Sequence, residues 1–251
     1  HIEDKLSDKL HEELTKTFID KRASVLAKGL KQDIKFETKI LENEKVLINE
    51  QYIGKLKGLK LDLDLRVDAL DADIKSLKKA ARQNVGPEIL SRIKQIIETG
   101  LITLGNDFKI LWKDYAIAKL IPGIDYLNPH IELIIDEMIE IEERNNLSSF
   151  LQNWLEGKIK NELASLINLK SIKESNQELR ALSYHLYESN GVVKRENVQN
   201  FLKNLDQEER AKLRKMGVKF GRYHIFLHKL FKPSSVSLRI LLWKNYNEKN
   251  L

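Results

Sequence analysis

His224 and His228 stand four residues apart, a spacing that would set two imidazoles on one face of a helix and begin a metal site. The pair lacks an intervening Glu and a third ligand nearby, so packing or a phosphate contact is the better expectation. The acidic run Glu132, Asp136, Glu137, Glu140, Glu142 and Glu143 could gather a cation, but it reads as a solvated helix face. Gly54-Lys55 and Gly58 lack the GxxxxGKS or GxxxxGKT spacing of a phosphate-cradling loop. There is no GxSxG elbow and no paired-glycine dinucleotide fingerprint. With no cysteine, disulfides, thiol catalysis and Cys-ligated zinc are excluded. The residues assign no catalytic, cofactor or metal role.

A basic stretch near the carboxyl end carries more information. Residues 191–251 hold 14 Lys/Arg against 5 Asp/Glu, a surplus of nine in a chain whose net charge is +6. Lys203, Arg210, Lys212, Arg214, Lys215, Lys219, Arg222, Lys229, Lys232 and Arg239 are interleaved with Phe220, Tyr223 and Phe226. Cations neutralise phosphates and release counterions, while aromatic rings stack on unpaired bases. The mixture points to single-stranded RNA or DNA, with Arg214, Lys215, Lys219, Arg222, Tyr223, His224, Lys229, Lys232 and Arg239 as the contacting residues. Phe226, Leu227, Leu230 and Phe231 look more like core than a stacking platform. The expectation is a continuous track for a polyanion, with everything before it largely scaffold. Two other classes stay open: a scaffold that docks on another protein, and a free-standing enzyme, which would need a polar pocket that nothing in the sequence asks for.

The elements that must position these residues are mostly helices. Hydrophobic content of 42% and charged content of 32%, with only 4 Pro and 11 Gly, give too little punctuation for a many-stranded barrel or sandwich. Leu6, Leu10, Leu14, Phe18, Val25, Leu26 and Leu30 mark a first long helix. Val67, Leu70, Ile74, Leu77 and Ala81 give a second, which stops before Gly86-Pro87. Pro87 then opens a third lined by Ile89, Leu90, Ile93, Ile96 and Ile97. Leu147 to Ile167 form a fourth after a joint at Asn145-Asn146. Shorter helices follow: one ends at Asn190-Gly191, one is capped by Asp206 with Glu209, and the last starts near Ser234 or Ser235. Val218-Lys219-Phe220 alternates like a short strand.

Two β-rich segments interrupt the helices. Lys45 to Leu56 and Lys109 to Leu120 match at Lys45/Lys109, Leu47/Leu111, Ile53/Ile117, Lys55/Lys119 and Leu56/Leu120. This predicts a duplicated helix-plus-hairpin unit. The fold expected is mainly α (α+β): a multi-helix assembly with two short β-hairpins and a basic C-terminal helical subdomain. Its divisions would be 1–145, the duplicated region, and 146–251, the helical region with basic segment 203–239. No apolar run is long enough to cross a bilayer and no signal peptide is evident, so a cytoplasmic protein without membrane contact is expected. The chain opens on His1, which suggests a piece of a longer polypeptide.

The segment from Gly217 through Phe220, Gly221, Arg222, Phe226 and Leu227 to Pro233 resembles a signature of alphaproteobacterial superfamily-two helicases related to the RNA helicase of the mitochondrial degradosome. Their version reads approximately GVRFGRxxVFLPxLLKP, with an Arg-containing helix and a Trp beyond, matched by Arg239 and Trp243. The run Ile2 to Thr15 is similar to that family's IEDRLSDxLHERLT, and the first hairpin resembles its VLVxGxxVGRL. His228 departs from the pattern, standing where the family often has Pro. The resemblance implies a non-catalytic accessory region that follows two ATPase lobes and helps hold the unwound strand or docks partners. ATP and Mg would be used by those upstream lobes, and none of their motor motifs falls in this chain.

Overall fold

The computed structural model describes residues 6, 7, 9, 10, 37–48, 50–64, 71–172 and 176–247. Residues 6, 7, 9 and 10 are helical; the rest of the expected first helix lies outside the described residues. Two units group the chain, one of residues 1–119 and 132–148, the other of residues 120–131 and 149–251.

In the first unit, alternating residues build β1 (Thr38–Ile40), β2 (Lys45–Ile48), β3 (Gln51–Lys57) and β4 (Lys60–Leu63), an antiparallel meander in that order. Val46, Ile48, Ile53, Leu56 and Leu61 point inward and are buried. A second meander repeats it with β5 (Thr103–Leu104), β6 (Lys109–Trp112), β7 (Tyr115–Ile121) and β8 (His130–Leu133).

The duplication holds residue for residue. Lys45 faces Lys55 and Leu47 faces Tyr52; 64 residues on, Lys109 faces Lys119 and Leu111 faces Ala116. Each hairpin shifts register at the same place, between Val46 and Leu47 and between Ile110 and Leu111. The edge strands follow suit, Lys39 facing Leu47 and Thr103 facing Leu111. Glu44 and Phe108 share a left-handed backbone, as do Glu50 and Asp114. The copies part at the fourth strand: β4 follows β3 after two residues, whereas eight residues separate β7 from β8.

Helix α1 (Asp71–Thr99) links the meanders. It is one helix where two were expected, because it runs through Gly86-Pro87. An internal proline lacks a donor and crowds the carbonyl four residues back. Here Ala81, Val85, Ile89, Ile93 and Ile96 form one buried stripe on both sides of it, and that burial outweighs the penalty. Arg92 on this helix is also buried. Its guanidinium reaches Glu44 at 2.6 Å, Glu88 at 2.9 Å and the Gly58 carbonyl oxygen at 3.1 Å. Asp136 of the acidic run is buried too, against Arg82 Nε at 3.2 Å, rather than on a solvated face.

Helix α2 (Ile141–Glu162) starts before Asn145-Asn146, which lie inside it, and breaks at Leu163 before α3 (Ala164–Lys170). Its Leu151, Leu155 and Ile159 join Leu166 and Leu169 in the core of the second unit. Then come α4 (Gln177–Glu188), β9 (Val192–Lys194), a 3-10 turn at Arg195–Val198, α5 (Gln199–Asn204), α6 (Gln207–Lys215), β10 (Val218–Phe220), β11 (His224–Leu227), a 3-10 turn at His228–Phe231 and α7 (Pro233–Asn247). A mainly helical chain with two hairpins is therefore the wrong class. The described residues hold eleven strands in three antiparallel sheets among seven α-helices, an α+β fold, and the C-terminal region has a sheet of its own.

Candidate nucleic-acid interface

The C-terminal sheet has the order β10-β11-β9, with both pairings antiparallel. Helix α4 precedes β9, and α5 and α6 lie between β9 and β10, joined by the two-residue turn Leu205-Asp206. Helix, strand, two helices joined by a tight turn, and a closing hairpin follow the element order of a helix-turn-helix with a β-wing. The expected capping box starts α6: Asp206 Oδ1 accepts from the Glu209 N–H at 2.7 Å, and Glu209 Oε2 accepts from the Asp206 N–H at 2.9 Å. Leu213 anchors α6 in the core, leaving Gln207, Glu208, Lys212, Arg214 and Lys215 exposed.

Cross-strand partners share a face, so the registers sort the sheet. Val218, Phe220, Ile225, Leu227 and Val193 form the inner face; Lys219, Phe226, His224 and Lys194 form the outer one. The cations accordingly form three groups, not one track. Arg214 and Lys215 belong to α6, with the Arg214 guanidinium 5.5 Å from the Phe220 ring. Arg222 and Tyr223 make the wing tip, where the guanidinium lies 5.3 Å from the Tyr223 ring and Tyr223 is 69% exposed. Lys219 and His224 sit on the outer face, followed by exposed Lys229 and Lys232 on the segment after β11. Among the described residues, none of Arg214, Lys215, Lys219, Arg222, Lys229 and Lys232 makes an ion pair. Arg239 is drawn inward instead: Nη1 donates to the Asn190 carbonyl oxygen at 2.6 Å, and burial lowers its pKa.

The histidine pair does not share a helix face. His224 is in β11 and faces Lys194 across the sheet, whereas His228 opens the 3-10 turn and its Nδ1–H donates to the Gly217 carbonyl oxygen at 3.1 Å. Pairing of Leu227 with Val218 fixes β11 as a strand and cancels the helical spacing.

Arg222, Tyr223 and His224 do come together, with three residues that periodicity and charge clustering passed over. Lys194, Arg195 and Gln199 join them around an open cleft of about 510 Å³ beside the wing tip. Their signal was Lys194-Arg195, separated from the Asn190-Gly191 stop by Val192 and Val193 and outside the 203–239 window.

Comparison of the chain with known protein families, with curated proteins and with solved structures finds no match. Among the described residues, no helix is long and apolar enough to cross a membrane.

Proposed function

We propose that the C-terminal unit binds nucleic acid through the exposed face of α6 and the wing, as a non-catalytic accessory region of an ATP-dependent helicase acting on single strands. The observation that carries the reading is a helix-turn-helix with a wing whose exposed Arg214, Lys215 and Arg222 have no carboxylate partner among the described residues. Unpaired surface cations release counterions when they meet phosphates. Tyr223 offers a ring on which an unpaired base stacks. The helicase context rests on the sequence resemblance, and ATP and Mg belong to the lobes it implies upstream.

The test is fluorescence anisotropy of labelled single-stranded RNA, single-stranded DNA and duplex across a salt series. Weak, salt-sensitive binding is expected. The triple variant R214A/K215A/R222A should reduce the slope of log K against log salt by about 0.7 for each single-strand phosphate that it no longer neutralises. A triple variant with the parent's affinity and slope would overturn the assignment. Preference for duplex would shift the reading toward groove docking by α6. The alternative, a protein-docking scaffold, is favoured by exposed Ile240 and Trp243 on α7 and is tested by alanine at both positions.

A further inference from the structure

We infer that the cleft beside the wing tip is a seat for a nucleotide phosphate, a deepening that rests on the nucleic-acid reading above. Three elements converge on it: the end of β9 with Lys194, the 3-10 turn and start of α5 with Arg195 and Gln199, and the wing with Arg222, Tyr223 and His224. Lys194, Arg195 and Arg222 supply three positive charges. The lone lining carboxylate, Glu196, stands 3.8 Å from Lys194 in an exposed pair that water screens.

The cleft is also built. The Arg195 N–H donates to the Tyr223 carbonyl oxygen at 2.8 Å and its Nη1 to the Gly221 carbonyl oxygen at 2.9 Å. These bonds fix the wing to the turn and use one of the guanidinium's five donors. Lys194 and His224 are direct cross-strand partners on the outer face, so ammonium and imidazole arrive side by side. Arg222 lies on the Tyr223 ring, giving a flat cationic and aromatic ledge for a base, while the Gln199 amide can both donate and accept. About 510 Å³ falls within the roughly 300–1,000 Å³ of small-ligand sites, enough for one nucleotide. A phosphate there is either the end of a strand or an internal diester.

Isotope-labelled full chain is titrated with inorganic phosphate and then with single-stranded trinucleotides carrying or lacking a 5′-phosphate, while the amide signals of residues 194–199 and 222–224 are followed. Those signals are expected to move with both probes. K194A/R222A should weaken phosphate and oligonucleotide binding at least tenfold, and K158A/K160A, away from the assigned surface on α2, should leave the phosphate titration unchanged. Tighter binding of the phosphorylated trinucleotide assigns the seat to a strand end; equal binding with the same shifts assigns it to an internal phosphate. Cleft signals that stay still with phosphate, or a K194A/R222A variant that binds phosphate as the parent does, would overturn the seat. If phosphate moves the cleft signals and no oligonucleotide binds, the seat stands and the nucleic-acid reading falls.

Discussion

Arg195 holds Gly221 at the tip of the wing, Nη1 to carbonyl oxygen at 2.9 Å, so the turn carrying Arg222 and Tyr223 is tied to the residue that starts the 3-10 turn before α5. A side-chain bond to an exposed carbonyl contributes about 0.5–1.5 kcal/mol net. Arg195→Ala should therefore cost little global stability, measured by urea unfolding, yet loosen the wing. Faster hydrogen exchange at the Gly221 amide, which donates to the His224 carbonyl oxygen, is expected; parent-like exchange would mean that the strands alone hold the turn.

Arg239 is predicted to matter for stability and not for ligand binding. It satisfies the Asn190 carbonyl where Asn190 and Gly191 both adopt a left-handed backbone between α4 and β9. Arg239→Ala should cost about 2 kcal/mol, in the range for hydrogen bonds to charged groups. The salt slope of oligonucleotide binding should stay at the parent's value. A lower slope would place Arg239 on the binding surface after all.

In the first unit the weight falls on Arg92. Removing it leaves Glu44 without its partner and strips the Gly58 carbonyl of a donor, so Arg92→Ala should destabilise by about 3–5 kcal/mol. Combining Arg92→Met with Glu44→Gln and Glu88→Gln should recover part of that loss, because no partnerless charge is then buried. Denaturation midpoints distinguish the two.

Gly54 and Ala118 hold equivalent places in the two hairpins and should respond differently to exchange. A Cβ at Gly54 would collide with the Asp62 carbonyl oxygen, because β4 returns at once to pair there. Gly54→Ala is expected to cost about 1–3 kcal/mol through overpacking. Ala118→Gly should cost about 1 kcal/mol from chain entropy. Thermal unfolding that ranks them the other way would contradict the difference between β4 and β8.

Alkaline pH should weaken the second unit through two tyrosines. Tyr126 donates to the Tyr187 carbonyl oxygen at 2.8 Å, with the rings 5.0 Å apart. Burial, joined by nearby Glu188 and Asp125 for Tyr126 and by Asp125 for Tyr187, pushes both phenols well above the usual range. Raised folded values favour the neutral form. Stability is therefore steady below about pH 10, where unfolded tyrosine ionises, and is lost as pH climbs from there toward the folded values. Absorbance near 295 nm, compared with Tyr126→Phe and Tyr187→Phe, should show these two ionising only as the protein unfolds.

The duplicated hairpins were legible because the matching residues, Lys45/Lys109 and Leu47/Leu111 among them, sit at matching ladder positions. β4 lay beyond the expected hairpin and was missed, although Leu59, Leu61 and Leu63 alternate there with Lys60 and Asp62. β9 was not legible either: three residues after a glycine stop become a strand only through pairing with β11. Periodicity also misjudged α1, since Pro87 is a local stop signal overruled by a stripe buried through tertiary packing. At the candidate interface, residue types singled out one segment, but the fold distributes cations that are neighbours in sequence among a helix, a turn and the outer face of a sheet.

Two hairpins with one register also pose a problem of choice for the emerging chain. Each of the first three strands of the first copy meets, 64 residues later, a sibling that offers the same ladder, and a swapped zipper would satisfy nearly every backbone bond until the fourth strand. There the mismatch bites: β4 needs the bare backbone of Gly54, and Ala118 presents a methyl group. That one missing carbon is a proofreading mark, penalising the crossed partnership after it has begun to form.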